Sequence, residues 1–275
     1  MSTTLRAGLR AGAIELRQSF TGTALVGQLF WPLATLTAIV VLRDRSVAGV
    51  GLGPSVLTSS AGMFVALGML LAAQHLAIDR EDGTLLRAKA TPGGVRGYLT
   101  GKLVLVSGSV LCYLAILLVP GALVVGGLSM DLGGLLTFAW VVAFGLVATQ
   151  TLGAALGSLV RSSRGAGMLS LPTMGLIAIS GVFYPVTALA GWVQGVAQAF
   201  PVYWLGLGMR SALLPDDAVA VEIGQSWRPV ETAAVLGAWA VTGLVVAPLV
   251  LRRMARRESG SRVEARRARL AQQVG

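Results

Sequence analysis

Charge is what this sequence has least of. Asp, Glu, Lys and Arg make up 12% of its 275 residues, against about 25% in a soluble domain. That shortage excludes an ordinary soluble enzyme. A single cysteine, Cys112, excludes a disulfide-stapled secreted scaffold. A single histidine, His75, has no second imidazole with which to share a metal ion, so no metal site is expected. Carboxylates are scarcer than cations, 12 against 22, which leaves a net charge of +10. What fills the chain is apolar: 55% hydrophobic residues, 36 glycines and a mean hydropathy of +0.75. Such hydrophobicity excludes intrinsic disorder. Glycine suits helices that pack closely inside a bilayer. The composition describes an all-α membrane protein that crosses the bilayer several times.

A crossing helix needs about 20 mostly apolar residues. Six stretches qualify: 22–42, 56–78, 103–125, 135–160, a weaker one from 167 to 183, and 232–251. Lysine and arginine set their sidedness. With the N-terminus inside, 18 of the 22 cations fall in cytoplasmic segments. Both termini are then cytoplasmic. The positive charge follows from topology, and no nucleic-acid partner is needed to explain it. The first twenty residues lack the apolar run of a cleavable signal, so the first span is expected to direct insertion itself.

Ahead of that span, residues 1–21 repeat apolar side chains at helical spacing. Leu5, Leu9, Leu16 and Phe20 lie on one face, with Arg6, Arg10 and Arg17 beside them. This pattern predicts an amphipathic helix at the cytoplasmic interface. Between spans two and three the chain reads Asp79-Arg80-Glu81-Asp82-Gly83-Thr84-Leu85-Leu86-Arg87-Ala88-Lys89-Ala90-Thr91-Pro92. Acids first and bases last suit a short helix dipole. Thr84 is a candidate N-cap and Pro92 a stop. The residues alone fit two readings, a docking helix for a cytoplasmic partner or a solvated loop. Just beyond, Gly101-Lys102 imitates a phosphate-binding loop but fails it. Arg96 stands where that motif needs glycine, and Leu103 where it needs Ser or Thr. No ATP hydrolysis by that chemistry is expected.

Between spans five and six, residues 184–214 are apolar, aromatic and broken by Pro185 and Pro201, with Pro215 directly after. No complete span fits between the breaks. Short helices that dip into the outer leaflet and return do fit, with Trp192, Tyr203 and Trp204 at headgroup level. The segment reads as a gate or cap on a pathway, or as an ordinary interfacial loop. Inside the spans, Gln28 and Gln150 either line a pathway or bond to neighbouring helices. Gly153-x-x-x-Gly157 permits close helix contact. The tail, 252–275, holds eight arginines that would favour anionic lipid or simply stop transfer.

In order and spacing these features resemble the ABC-2 type permeases, the membrane subunits of bacterial exporters such as the daunorubicin-resistance type. The resemblance rests on Glu81, Gly83-Thr84-Leu85, Arg87, Thr91-Pro92 and Gly101-Lys102. It continues with Phe183-Tyr184-Pro185, Leu189 with Trp192, Pro201-Val202-Tyr203, and Arg210 before span six. Ala190 and Gly93-Gly94 depart from it, where relatives often carry proline and a small polar pair. It implies one transmembrane domain over 1–251 in the bacterial cytoplasmic membrane. Residues 79–92 would be its coupling helix, with Asp79, Glu81, Asp82, Gly83, Thr84, Leu85, Arg87 and Pro92 facing the partner. Phe183, Tyr184, Pro185, Trp192, Pro201, Tyr203 and Arg210 would form the external gate. The implied partners are two copies of an ABC ATPase, which would hold ATP and Mg, and a second permease chain in a homodimer or heterodimer. The implied activity is ATP-driven export of an amphipathic, lipid-like or drug-like substrate, with no catalysis by this chain. The other readings are a stand-alone secondary transporter or channel, and an intramembrane enzyme. A proton-coupled transporter places carboxylates inside its spans, and all 12 acids here lie outside the six stretches as drawn. For the enzyme no catalytic motif is present.

Overall fold

The computed structural model describes residues 3–47, 50–91, 94–129, 131–160 and 163–257. Pro92, Gly93 and the tail beyond Arg257 lie outside the described residues. Regular structure is helical, apart from a two-residue antiparallel ladder of Ser46–Val47 (β1) with Val50–Gly51 (β2). The helices are α1 (Thr3–Ser19), α2 (Ala24–Leu42), α3 (Leu52–Glu81), α4 (Thr84–Lys89), α5 (Gly94–Val124) and α6 (Leu132–Leu159). After them come α7 (Ser163–Met168), α8 (Ser170–Ile179), α9 (Gly191–Ala199), α10 (Pro201–Leu213) and α11 (Pro229–Arg257). We call the end with the α3–α4–α5 connection the base, and the end with Gly51, Leu132 and Pro229 the crown.

Five helices among the described residues are long and apolar enough to cross a membrane: α2, α3, α5, α6 and α11. They coincide with five of the six expected spans. The stretch expected as the fifth span is covered by α7 and α8, interrupted at Leu169. Pro172 has no N–H to give the Met168 carbonyl, which breaks the helical ladder there. Hydropathy does not register that missing donor. Several helices also outrun their apolar stretches. α5 begins at Gly94, well before residue 103, and α11 continues to Arg257. A helical ladder needs backbone partners and not apolar side chains, so it continues beyond the hydrocarbon.

α3 is the axis of the bundle. Its apolar window is 67% buried, against 11% for α2. Around α3 stand α5, α6 and α10. α2 and α11 turn Val26, Phe30, Trp31, Val241, Leu244 and Val245 outward. Apolar surface of that extent is unfavourable in water and suited to lipid. The α3–α6 crossing is set by the expected glycine pair. A Cβ on Gly153 would run into the Met69 carbonyl oxygen, and one on Gly157 would lie 2.8 Å from the Ala73 Cα.

α10 is the least expected element. It is buried along nearly its whole length, with Tyr203, Leu205, Leu207 and Met209 fully enclosed. Gly206 meets Gly62 of α3, and Gly208 meets Val141 of α6. These two glycines let α10 slot between α3 and α6. Tyr203 and Trp204 therefore do not form a headgroup belt. Trp204 satisfies its indole N–H inside, by donating to the Gln198 carbonyl at 2.7 Å. Trp192, 75% exposed, is the member of the expected belt that does face outward.

Candidate functional site

The base is built by three segments that converge beneath α3 and α5. α3 ends at Glu81, and Asp82 N–H closes its last turn on the Ile78 carbonyl. Gly83 then adopts φ +72, a left-handed conformation that glycine takes at low cost, and turns the chain into α4. The stretch 79–92 is thus not one helix. Asp79 and Glu81 belong to the last turn of α3, and α4 holds only Thr84–Lys89. Thr84 does not cap α4. Its hydroxyl accepts instead from Arg87 Nη2 at 3.0 Å. Leu85 is 1% exposed and seats α4 in a small apolar cluster with Leu76, Ala154, Ala247, Leu251 and Met254. Asp82 and Arg87 lie on the exposed side of the turn.

Asp79 takes a different place from its neighbours. It is buried, accepts from the Tyr98 hydroxyl at 2.7 Å and pairs with Lys102 Nζ at 2.8 Å. Lys102 Nζ also reaches Glu15 of α1 at 2.6 Å. One ammonium therefore joins α1, α3 and α5. Lys102 is the lysine of the failed phosphate-loop pattern, and its work here is to hold helices together.

α1 runs along the base end of α5 with a seam of glycines. A Cβ on Gly8 would lie 2.6 Å from the Gly97 carbonyl oxygen, and one on Gly12 would run into that of Gly101. Further along, Leu16 covers Gly108. Part of the leucine face predicted to lie in lipid meets α5 instead, through Leu16 on Gly108 and Phe20 against Tyr113. Leu5 is 38% exposed beside the seam, and Arg6, Arg10 and Arg17 are exposed. Gly8-x-x-x-Gly12 and Gly97-x-x-x-Gly101 were the sequence signal for this contact. Between α1, α4 and α5 a groove of about 480 Å³ opens, edged by Thr4, Ala11, Thr84, Arg87 and Thr91.

At the crown, Arg210 near the end of α10 is buried. Its Nε donates to Glu222 Oε1 at 2.7 Å, and its Nη1 faces the carbonyls of Gly181 and Val182 at 3.4 Å. It binds α10, the turn before Phe183-Tyr184-Pro185 and the loop before α11 into one block. Phe183 and Tyr184 are exposed at that turn, as is Pro185, and the Tyr184 hydroxyl donates to the Ala178 carbonyl. Arg228 adds a second clamp. Its guanidinium lies 4.7 Å over the Trp204 ring and donates to Gln198 Oε1 at 2.8 Å. It does so at φ +48, where a non-glycine residue is strained. Sequence reasoning found Arg210 but not Glu222 or Arg228, whose partners lie 12 and 30 positions away.

The two glutamines sit at helix contacts. Gln28 Oε1 accepts from the Tyr113 hydroxyl, which ties α2 to α5. Gln150 is 2% exposed and donates to Ser107 Oγ at 2.8 Å, which ties α6 to α5.

A bundle of long helices with apolar outer faces, joined at its base by the short helix α4, has the architecture of a multi-pass membrane protein. The family comparison is specific. The model of the ABC-2 family transporter proteins matches residues 49–251, about three quarters of the sequence. The chain belongs to that family and is an ABC transporter membrane subunit. Members of the family are membrane subunits that work with an ABC ATPase. No curated protein matches the sequence.

Proposed function

We propose that the protein is the membrane half of an ATP-driven exporter for an amphipathic, lipid-like or drug-like substrate. The base faces the cytoplasm and the crown faces outward, in the cytoplasmic membrane of a bacterium. Two ATPase copies dock at the base and hold ATP and Mg, and a second permease chain completes the pathway. In this reading α4 is the coupling helix, and together with the turn before it presents Glu81, Asp82, Gly83, Thr84 and Arg87 to the ATPase. Leu85 anchors it, and Asp79 acts from behind. The observation that carries the proposal is the seating of α4. A short half-buried helix with Arg87 exposed is seated by Leu85 between the ends of α3 and α5, which the Asp79–Lys102 pair joins. A push on it has nowhere to go except into the spans. The surplus of arginine and lysine at the base supports the sidedness.

α7 and α8 would supply the sixth crossing, and α9 and α10 a re-entrant cap. The register of α10 supports this. Leu205 lies against Gly145, about midway along α6, while Ala212 lies against Gly134 at its crown end. α10 therefore rises from mid-depth to the crown. Phe183, Tyr184, Pro185, Trp192, Pro201, Tyr203 and Arg210 are its gate residues in this reading. The spans give a wall of low charge, which suits an apolar or amphipathic cargo.

The test is co-expression with the ATPase subunit, reconstitution in vesicles and transport of a fluorescent phospholipid and a lipophilic cationic dye. ATP-dependent movement of either probe from the base side to the crown side is the expected result. Ion conductance without ATP, and no ATPase in the purified complex, would favour a channel and overturn the proposal.

A further inference from the structure

The loop that carries α4 is the tip of a hairpin whose two arms are α3 and α5. Across the stem of that hairpin, Asp79 on one arm meets Lys102 and Tyr98 on the other, at 2.8 and 2.7 Å. Side chains of Asp79 and Lys102 are only 12% and 14% exposed, so water competes poorly for the pair. Lys102 then spends a second donor on Glu15 of α1, at 2.6 Å and 39% side-chain exposure. The ring of Tyr98 lies 5.7 Å beneath the ammonium. Two carboxylates on different helices thus share one cation. The cluster also sits between two cavities. On one side is the groove between α1, α4 and α5, and on the other a cavity of about 20 Å³ that reaches Gln150 of α6.

Consider what happens to this hairpin without the clamp. α4 is six residues long, and Gly83 before it is a left-handed turn. A force on α4 would then be absorbed by rotation at the turn, with the arms sliding apart. With the clamp, the arms cannot separate without leaving Asp79 as a buried, uncompensated charge. α1 shares the constraint twice, through Glu15 and through the glycine seam that locks it to α5. α3 in turn carries α6 and α10 through backbone-to-backbone contacts at Gly153 and Gly62. The base therefore moves as one body, and its motion reaches the crown.

We propose that Lys102 is the positioning residue of energy coupling: it clamps α1, α3 and α5 so that displacement of α4 by an ATPase drives the spans. This rests on the reading of the chain as the membrane half of an ATP-driven transporter. Lys102 touches no substrate. Its removal uncouples hydrolysis from movement and leaves docking in place.

The experiment uses the complex with its ATPase in nanodiscs. Cys112→Ser removes the native thiol, and Ser211→Cys places a reporter at the half-buried position of otherwise buried α10, at the crown. Maleimide labelling of that cysteine is followed with and without ATP and Mg, together with the hydrolysis rate and the KM for ATP. In the parent, ATP is expected to change the labelling rate by about tenfold, an ordinary size for coupling between sites. In Lys102→Met, hydrolysis and KM should stay within about twofold while the ATP effect on labelling disappears. Lys102→Arg should restore most of it, since the longer cation can still span both carboxylates. An unchanged ATP effect in Lys102→Met overturns the proposal. So does a variant that loses assembly, hydrolysis and labelling response together and is not rescued by arginine, because that describes a merely structural residue. If Lys102→Met does not accumulate, Glu15→Gln removes one arm of the clamp. A response equal to the parent's in that variant also overturns the proposal. Failure of the parent itself to hydrolyse ATP or bind an ATPase is a separate outcome, and it brings down the functional reading with the inference.

Discussion

The two ends of this bundle are each held by arginine or lysine paired with carboxylate, yet they are built differently. At the base, Lys102 divides itself between Asp79 and Glu15, and Glu15 is 39% exposed at its side chain. At the crown, Arg210 and Glu222 form a pair with side chains 9% and 2% exposed. Water reaches Glu15, so the α1 arm is the more exposed part of the base clamp, while the Asp79–Lys102 pair that joins α3 and α5 is shielded. Glu222 has no such exposure, and its second oxygen Oε2 has no hydrogen-bond partner among the described residues. Separating Arg210 from it would leave a lone charge in a dry site. The crown must therefore move as a block that carries its loop along. Two clamped ends joined by closely packed helices would carry a push at one end to the other.

The comparison can be broken or sharpened by substitution. The largest effect is expected where both ends depend on one crossing. Gly153→Leu drives a side chain into the Met69 carbonyl and should prevent the folded protein from accumulating, read by size-exclusion yield in detergent. Next comes the crown pair. Arg210→Met leaves Glu222 buried and alone, at a cost of about 3–5 kcal/mol, read as a fall in melting temperature. Adding Glu222→Leu should return most of that loss. If the double variant is no better than the single one, the cost does not come from the stranded carboxylate. Gly12→Leu at the base should do less to stability, because it only pries α1 from α5. Folded protein should persist, with ATP-dependent transport reduced about tenfold or more, within the usual range of coupling between sites. Trp192→Ala should be smallest. The side chain is 75% exposed, and its loss should change stability by no more than about 0.5 kcal/mol.

Five spans were legible in the sequence because an uncharged run of crossing length has few other uses. The stretch after residue 167 was read as a full span since its leucines and isoleucines outweigh Pro172 in hydropathy, whereas the missing N–H of Pro172 is what divides α7 from α8. The short helix after α3 was legible from the charge order, but its boundary with α3 was not. Asp79 is acidic like Glu81 and Asp82, and only the fold shows that it turns inward to Lys102. The seam of Gly8 and Gly12 was hidden by the louder leucine and arginine faces of the same helix. Aromatic residues were ambiguous in the same way. Trp192 and Trp204 look alike in sequence, and the glycines at 206 and 208 decide which of them is buried. Arg210 was singled out by the resemblance, as the arginine before span six. Its partner Glu222 lies in an irregular loop and carries no periodic signal.

The central claim is that the base, and not the crown, receives an ATPase. In a Cys112→Ser background, Arg87→Cys on α4 and Trp192→Cys on α9 can each be cross-linked in membranes that contain the ATPase subunit. The account predicts a covalent adduct with the ATPase from position 87, sensitive to ATP, and none from position 192. An adduct from position 192, or none from position 87 while the complex still assembles, would contradict it.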